Sequence, residues 1–151
     1  MSDQTLINFL NQELSNFHVM YVKLHRYHWF VQGRHFYSLH ALFESLYNEM
    51  AADLDEVAER VLAIGGKPLA TMEKFLKETT LKEAQADDKE NEIMDRLHDD
   101  YRQMITEIKE TGIPLAQKLG DEPTADLLIG LQKKFEKHVW MFRAYMAYER
   151  N

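Results

Sequence analysis

The chain has 151 residues, no cysteine and a formal charge of −7, which excludes a disulfide scaffold and a thiolate metal site. The acidic balance argues against non-specific DNA binding, which needs Lys and Arg to neutralise phosphates, and is compatible with attracting metal cations. Hydrophobic residues make up 45%, an ordinary globular share, and six Gly with three Pro leave few helix breakers among many Leu, Ala, Glu, Lys, Gln and Met. A single all-α domain over residues 1–151 is expected. No basic cluster followed by an apolar run opens the chain, and no window approaches the roughly 20 apolar residues of a membrane span. A cytoplasmic protein without a membrane partner is the expectation.

Ser2 and Asp3 offer an N-cap for a first long helix. Its stripe reads Leu10, Leu14, Phe17, Tyr21, Leu24, His28 and Val31, alternating steps of four and three along one face. Gly33 is expected to end it. A second helix is predicted from Tyr37 to Ile64, with Leu39, Phe43, Leu46, Met50, Leu54, Val57, Val61 and Ile64 inward. Gly65, Gly66 and Pro68 stop it. The short loop at Gly33 makes the two helices antiparallel neighbours.

The crossover from Gly65 to about Asp87 holds a short helix capped by Thr71 and carrying Met72, Phe75 and Leu76. The polar run behind it, through Asp87, Asp88 and Lys89, reads as a solvated connection. A third helix presents Ile93, Leu97, Tyr101, Ile105 and Ile108. Gly112 and Pro114 kink it, and Gly120 stops it. A fourth starts between Asp121 and Thr124 and runs to about Tyr148, with Leu128, Leu131, Phe135, His138, Phe142 and Tyr145 on its stripe. Four long helices with a long crossover between the second and third describe a ferritin-like four-helix bundle with a short extra helix.

His28 takes an apolar-stripe position, where a hydrogen-bonded core histidine is the plain reading. The second helix adds to it. His28 lies five residues before Gly33 and His40 seven after, so an antiparallel hairpin brings them to nearly one height. Glu44 follows His40 by one turn. Two imidazoles and a carboxylate suit iron or zinc. Asp55 and Glu59 share the face of His40 and Glu44, but the eleven residues between Glu44 and Asp55 rise roughly 16 Å, too far for one ion within one chain.

Two antiparallel copies of the second helix, packed about a two-fold axis near Asn48, Glu49 and Ala52, would face His40 and Glu44 of one with Asp55 and Glu59 of the other. Ala51 and Ala52 would let them approach, and a two-fold makes two identical sites. A solvated charged face is the alternative for Asp55 and Glu59. No Glu-x-x-His motif of the kind used inside single-bundle di-iron proteins occurs. Asp95 and His98, the nearest spacing, read as surface, and His25 lies off the stripe. His138 reads as a core histidine.

The blocks Leu24-His25-Arg26-Tyr27-His28-Trp29, Gly33, Phe36-Tyr37-Ser38-Leu39-His40 and Asp55-Glu56-Val57-Ala58-Glu59-Arg60 closely resemble the Dps family, the mini-ferritins that protect DNA during starvation. The similarity continues through Leu62-Ala63-Ile64-Gly65-Gly66-Lys67-Pro68, Thr124-Ala125-Asp126 and Lys137-His138-Val139-Trp140-Met141. It implies a hollow dodecamer of four-helix subunits built from two-fold dimers. It also implies a ferroxidase centre with His28 and His40 from one subunit and Asp55 and Glu59 from another.

Glu44 stands where many members have Asp, one methylene shorter. By the same resemblance, Fe(II) is oxidised preferably by hydrogen peroxide, and the ferric product is stored as mineral. Trp29 matches a tryptophan near that centre, a local electron donor or an interface packing residue. Asp121, Glu122 and Asp126 match acids of three-fold iron-entry pores, and acids at a helix start also meet the macrodipole. Gln117 stands where some relatives carry another acid. The short segment before the first helix and the final Tyr148-Glu149-Arg150-Asn151 show no basic tail, so protection by iron removal is expected, not DNA condensation. Two other readings remain: a bundle that dimerises through the second helix with its polar face as a specificity device, and haem binding through Met20 or Met50.

Overall fold

The computed structural model describes residues 3–150, with side chains for 4–147. The expected Ser2 and Asp3 cap lies outside the described side chains. The elements are α1 (Asp3–Phe30), α2 (Phe36–Ala63), α3 (Met72–Glu78), α4 (Glu90–Glu107), a π turn (Ile108–Gly112), α5 (Ile113–Lys118) and α6 (Glu122–Arg150). The chain divides between Ile93 and Met94 into two compact units.

In the first unit, α1 packs on α2 and on α3. The predicted stripes face inward: Leu10, Leu14, Phe17, Leu24 and Val31 are buried on α1, as are Leu39, Phe43, Leu46, Met50, Val57 and Val61 on α2. Tyr21, Leu54 and Ile64 are only half-buried. Met20 and Met50 are fully buried.

Helix α1 ends at Phe30, three residues before Gly33. The chain leaves the helix there because Gln32 pairs with the far end of the crossover, its N–H donating to the Asp88 carbonyl at 2.9 Å. Gly33, at φ 140°, then makes a turn closed to most L residues. Helix α2 stops where expected. Gly65 N–H donates to Leu62 O at 3.0 Å and Gly66 N–H to Val61 O at 2.8 Å, the two bonds that satisfy orphan carbonyls in a Schellman end.

Thr71 caps α3 by accepting from Lys74 N–H at 3.2 Å. Only Phe75 of the expected apolar trio turns inward. Met72 and Leu76 are 60% and 49% exposed, because a two-turn helix lying on one neighbour buries one narrow line. The run behind α3 is largely exposed, as expected, but its backbone is held by α1. Buried Asn16 accepts from Thr80 N–H at 2.8 Å and from the Thr79 hydroxyl at 2.6 Å. Lys23 Nζ donates to Lys82 O at 2.8 Å, and Asn11 receives Leu69 N–H at 3.0 Å. These polar side chains on α1 hold the crossover by its backbone, which explains why α1 buries Asn and Lys beside its apolar stripe.

In the second unit, the helix that begins at α4 continues through the π turn into α5, so Gly112 and Pro114 do not end it. Pro114 has no N–H to give, and the wider turn, with Ile113 N–H reaching back to Ile108 O, takes its ring without a break. Gly120 at φ 73° stops α5, with Gly120 N–H on Gln117 O and Asp121 N–H on Ala116 O. Tyr101, Phe135, His138 and Phe142 pack edge to face and parallel, with centroids 5.2 to 6.2 Å apart. His138 is half-buried in that cluster.

Candidate metal centre

The α1–α2 hairpin brings His28 and His40 together. Their rings stack at 3.7 Å with 13° between planes. Each ring bonds the backbone of the other: His28 Nδ1 to His40 O and His40 Nδ1 to His28 O, both at 2.7 Å. A carbonyl only accepts, so both Nδ1 atoms carry the proton. Both Nε2 atoms are left with a lone pair, the donor a divalent metal takes. Backbone orientation of the second ring nitrogen is how metal-binding histidines are usually held.

Other rings brace the pair. Phe36 stacks on His40 at 5.0 Å, and Tyr47 stands edge-on to His28 at 5.4 Å. Tyr47 in turn stacks on His25 at 3.7 Å, and Trp29, 66% exposed, lies 5.4 Å from His25. Desolvation, with the charge of Glu44 and the neighbouring Tyr21, pushes the Tyr47 phenol above its ordinary value, so it stays a neutral phenol at physiological pH. Sequence reasoning missed Tyr47, His25 and Phe36 as neighbours of the pair. Tyr47 sits seven residues past His40, on its face, and that spacing was the available signal.

The carboxylates do not join the histidines within one chain. Among the described residues, no three His, Asp or Glu side chains gather to hold a metal ion. Glu44 is not gathered with His28 and His40 in this chain by itself. His40 turns its ring back onto α1 to reach the His28 carbonyl, while Glu44 stands exposed. Glu44, Asn48, Ala52, Asp55 and Glu59, spaced by fours and a three, form one exposed line along α2, opposite its buried stripe.

Asp121 makes local bonds at the start of α6. One carboxylate oxygen accepts from Thr124 N–H at 3.1 Å and the other from the Thr124 hydroxyl at 2.6 Å, which makes it the cap of α6. Glu122 and Asp126 are exposed. Asp95 is exposed and His98 half-buried against Asp99.

An all-helical chain with a tautomer-locked histidine pair and a line of outward carboxylates has the makings of a helical iron-handling protein. The ferritin-like domain family matches residues 7–150. General stress protein 20U of Bacillus subtilis is 44% identical over 97% of this chain and 100% of its own length. DNA protection during starvation protein 2 of Bacillus anthracis is 42% identical over 95% and 98%. The crystal structure of the Dps protein of Vibrio cholerae O1, described as a member of a broad superfamily of ferritin-like diiron-carboxylate proteins, superposes with a TM-score of 0.92. It is 33% identical and covers 96% of this chain and 91% of that one. The chain belongs to the ferritin-like family and, within it, to the Dps proteins, and its fold is the ferritin-like one with a short helix in the crossover.

Proposed function

We propose that the protein is a ferroxidase and iron store, one domain per subunit, that protects DNA by removing Fe(II) and hydrogen peroxide together. The observation that carries this is the His28–His40 pair, whose Nδ1 atoms are both spent on carbonyls and whose Nε2 atoms are both free to bind. Fe(II) is the substrate. His28 and His40 of one subunit, with Glu44 one turn further along α2, take it together with Asp55 and Glu59 of the partner subunit. The exposed line from Glu44 to Glu59 supports a shared site, since it lies open along α2 about Asn48 and Ala52, the expected two-fold. Hydrogen peroxide, the preferred oxidant, takes one electron from each of two Fe(II) and two protons, its O–O bond breaks, and two waters leave.

The ferric product is kept as mineral inside a dodecameric cage in the cytoplasm. Zinc suits the same imidazole and carboxylate donors and would compete. Asp121, Glu122 and Asp126 serve the iron-entry pores, with Asp121 also holding the start of α6 that presents the other two. Trp29, exposed near the pair, is a local electron donor for stray oxidising equivalents. With a charge of −7 the protein does not condense DNA. Among the described residues, no helix is long and apolar enough to cross a membrane.

The test adds Fe(II) and peroxide anaerobically and follows ferric absorbance in the parent and in a His28→Ala, His40→Ala double variant. The double variant should oxidise no faster than Fe(II) in buffer; a rate equal to the parent's overturns the ferroxidase assignment. Sharing between subunits is tested by refolding that variant with an Asp55→Ala, Glu59→Ala variant in equal amounts. Random two-fold pairing restores about one quarter of the sites. No recovery would place all the ligands in one chain.

A further inference from the structure

Helix α2 begins without a capping side chain of its own. The orphan N–H at its start is met from far along the chain. Glu90, the first residue of α4 and 55 positions beyond His35, sets its carboxylate under the α1–α2 turn. Its Oε2 accepts from His35 N–H at 2.8 Å, and its Oε1 meets His35 Nδ1 at 2.8 Å. The carboxylate occupies the space that a Cβ on Gly33 would fill, so the glycine is required by close approach as well as by its φ. The bond from Gln32 N–H to Asp88 O ties the same turn two residues earlier.

This turn joins the two metal-binding histidines. His28 lies two residues before α1 ends, and His40 lies five residues after His35. Their reciprocal 2.7 Å bonds demand a register between the helices good to a few tenths of an ångström. An anionic carboxylate at the N-terminus of α2 satisfies an orphan donor and opposes the helix macrodipole. Both effects hold the first turn of α2, from which His40 follows directly.

We propose that Glu90 is the positioning residue of the histidine pair: through His35 it clamps the turn and so sets His40 against His28. The inference rests on the reading of that pair as a metal site. Loss of the clamp lets the first turn of α2 fray, His40 leaves the His28 carbonyl, and its tautomer is no longer held.

Co(II) reports the ligand field directly, without turnover. It would be titrated into the intact oligomer and followed by its visible absorption, with circular dichroism and light scattering to confirm helicity and assembly. Glu90→Ala should weaken Co(II) binding about tenfold and alter the spectrum, the loss usual when a supporting residue behind a metal ligand is removed. Glu90→Gln keeps an acceptor for His35 N–H and should recover most of it. His35→Ala keeps the backbone bond and should give a smaller weakening in the same direction; it carries the test if Glu90→Ala does not assemble. If the His28→Ala, His40→Ala variant binds Co(II) as the parent does, the site reading fails. If that variant loses Co(II) while the Glu90 and His35 variants match the parent in affinity and spectrum, the positioning role alone is overturned.

Discussion

The two units of the chain bury different chemistry. Up to Ile93 the interior holds Asn11, Glu13, Ser15, Asn16, Lys23, His28 and Asp53 besides its apolar residues. From Met94 onward, among the described residues, buried polar atoms are fewer, on Thr124, Asp100 and the Tyr101 hydroxyl, and the centre is the Tyr101, Phe135 and Phe142 cluster. A buried polar side chain costs stability unless its bonds are made, and then contributes modestly; its return is a defined geometry. The first unit uses such groups to tie down a long crossover and to aim two imidazoles. The second relies on apolar burial and close-packed rings. Position is specified in one and stability supplied in the other.

The sharpest way to break this contrast is to damage the second unit and look for an effect on the first. Phe135→Ala should cost about 3–5 kcal/mol in urea unfolding at matched subunit concentration, through lost transfer energy and the cavity left behind. Co(II) affinity of the folded fraction should not change; a parallel loss would show that the histidine pair depends on the aromatic cluster. Asn16→Ala comes next, at about 1–3 kcal/mol for a buried hub whose partners lose their acceptor. Hydrogen exchange should quicken at the amides of Thr80 and Leu81 and stay slow in α6. Uniform quickening would mean that the crossover is not held locally by α1.

The smallest effect concerns His18, which stacks on Phe75 at 3.8 Å and bonds the Leu14 carbonyl. Burial holds it below its ordinary value of 6.5, with the Leu14 bond acting the other way. The unfolded chain therefore binds the proton first as pH falls. The packing of α3 on α1 keeps its full stability above 6.5 and loses part of it as pH drops from there through the folded value. The pH dependence of the urea midpoint, taken as the difference between the parent and His18→Gln, should show this fall. A difference that is flat across 6.5, or that rises on acidification, contradicts the assigned direction.

Much of the fold was legible because it is local. The steps of three and four fixed which faces of α1, α2, α4 and α6 turn inward, and paired signals such as Gly65-Gly66 and Gly120 marked real helix ends. Spacing about Gly33 put His28 and His40 at one height, and the rise of a helix separated Glu44 from Asp55. Resemblance supplied the family. A periodic pattern, however, describes one helix at a time. That each imidazole gives its Nδ1 proton to the other's carbonyl, that Asn16 grips Thr79 and Thr80, and that Glu90 caps α2 are contacts between residues 12 to 64 positions apart. Such contacts depend on where loops return the chain and how side chains turn, which no local repeat encodes. Sequence alone thus determined that two histidines would meet at the tip of a helical hairpin. Only the tertiary structure decided which nitrogen each one leaves for a metal, because that choice is made by the backbone carbonyl of the other helix.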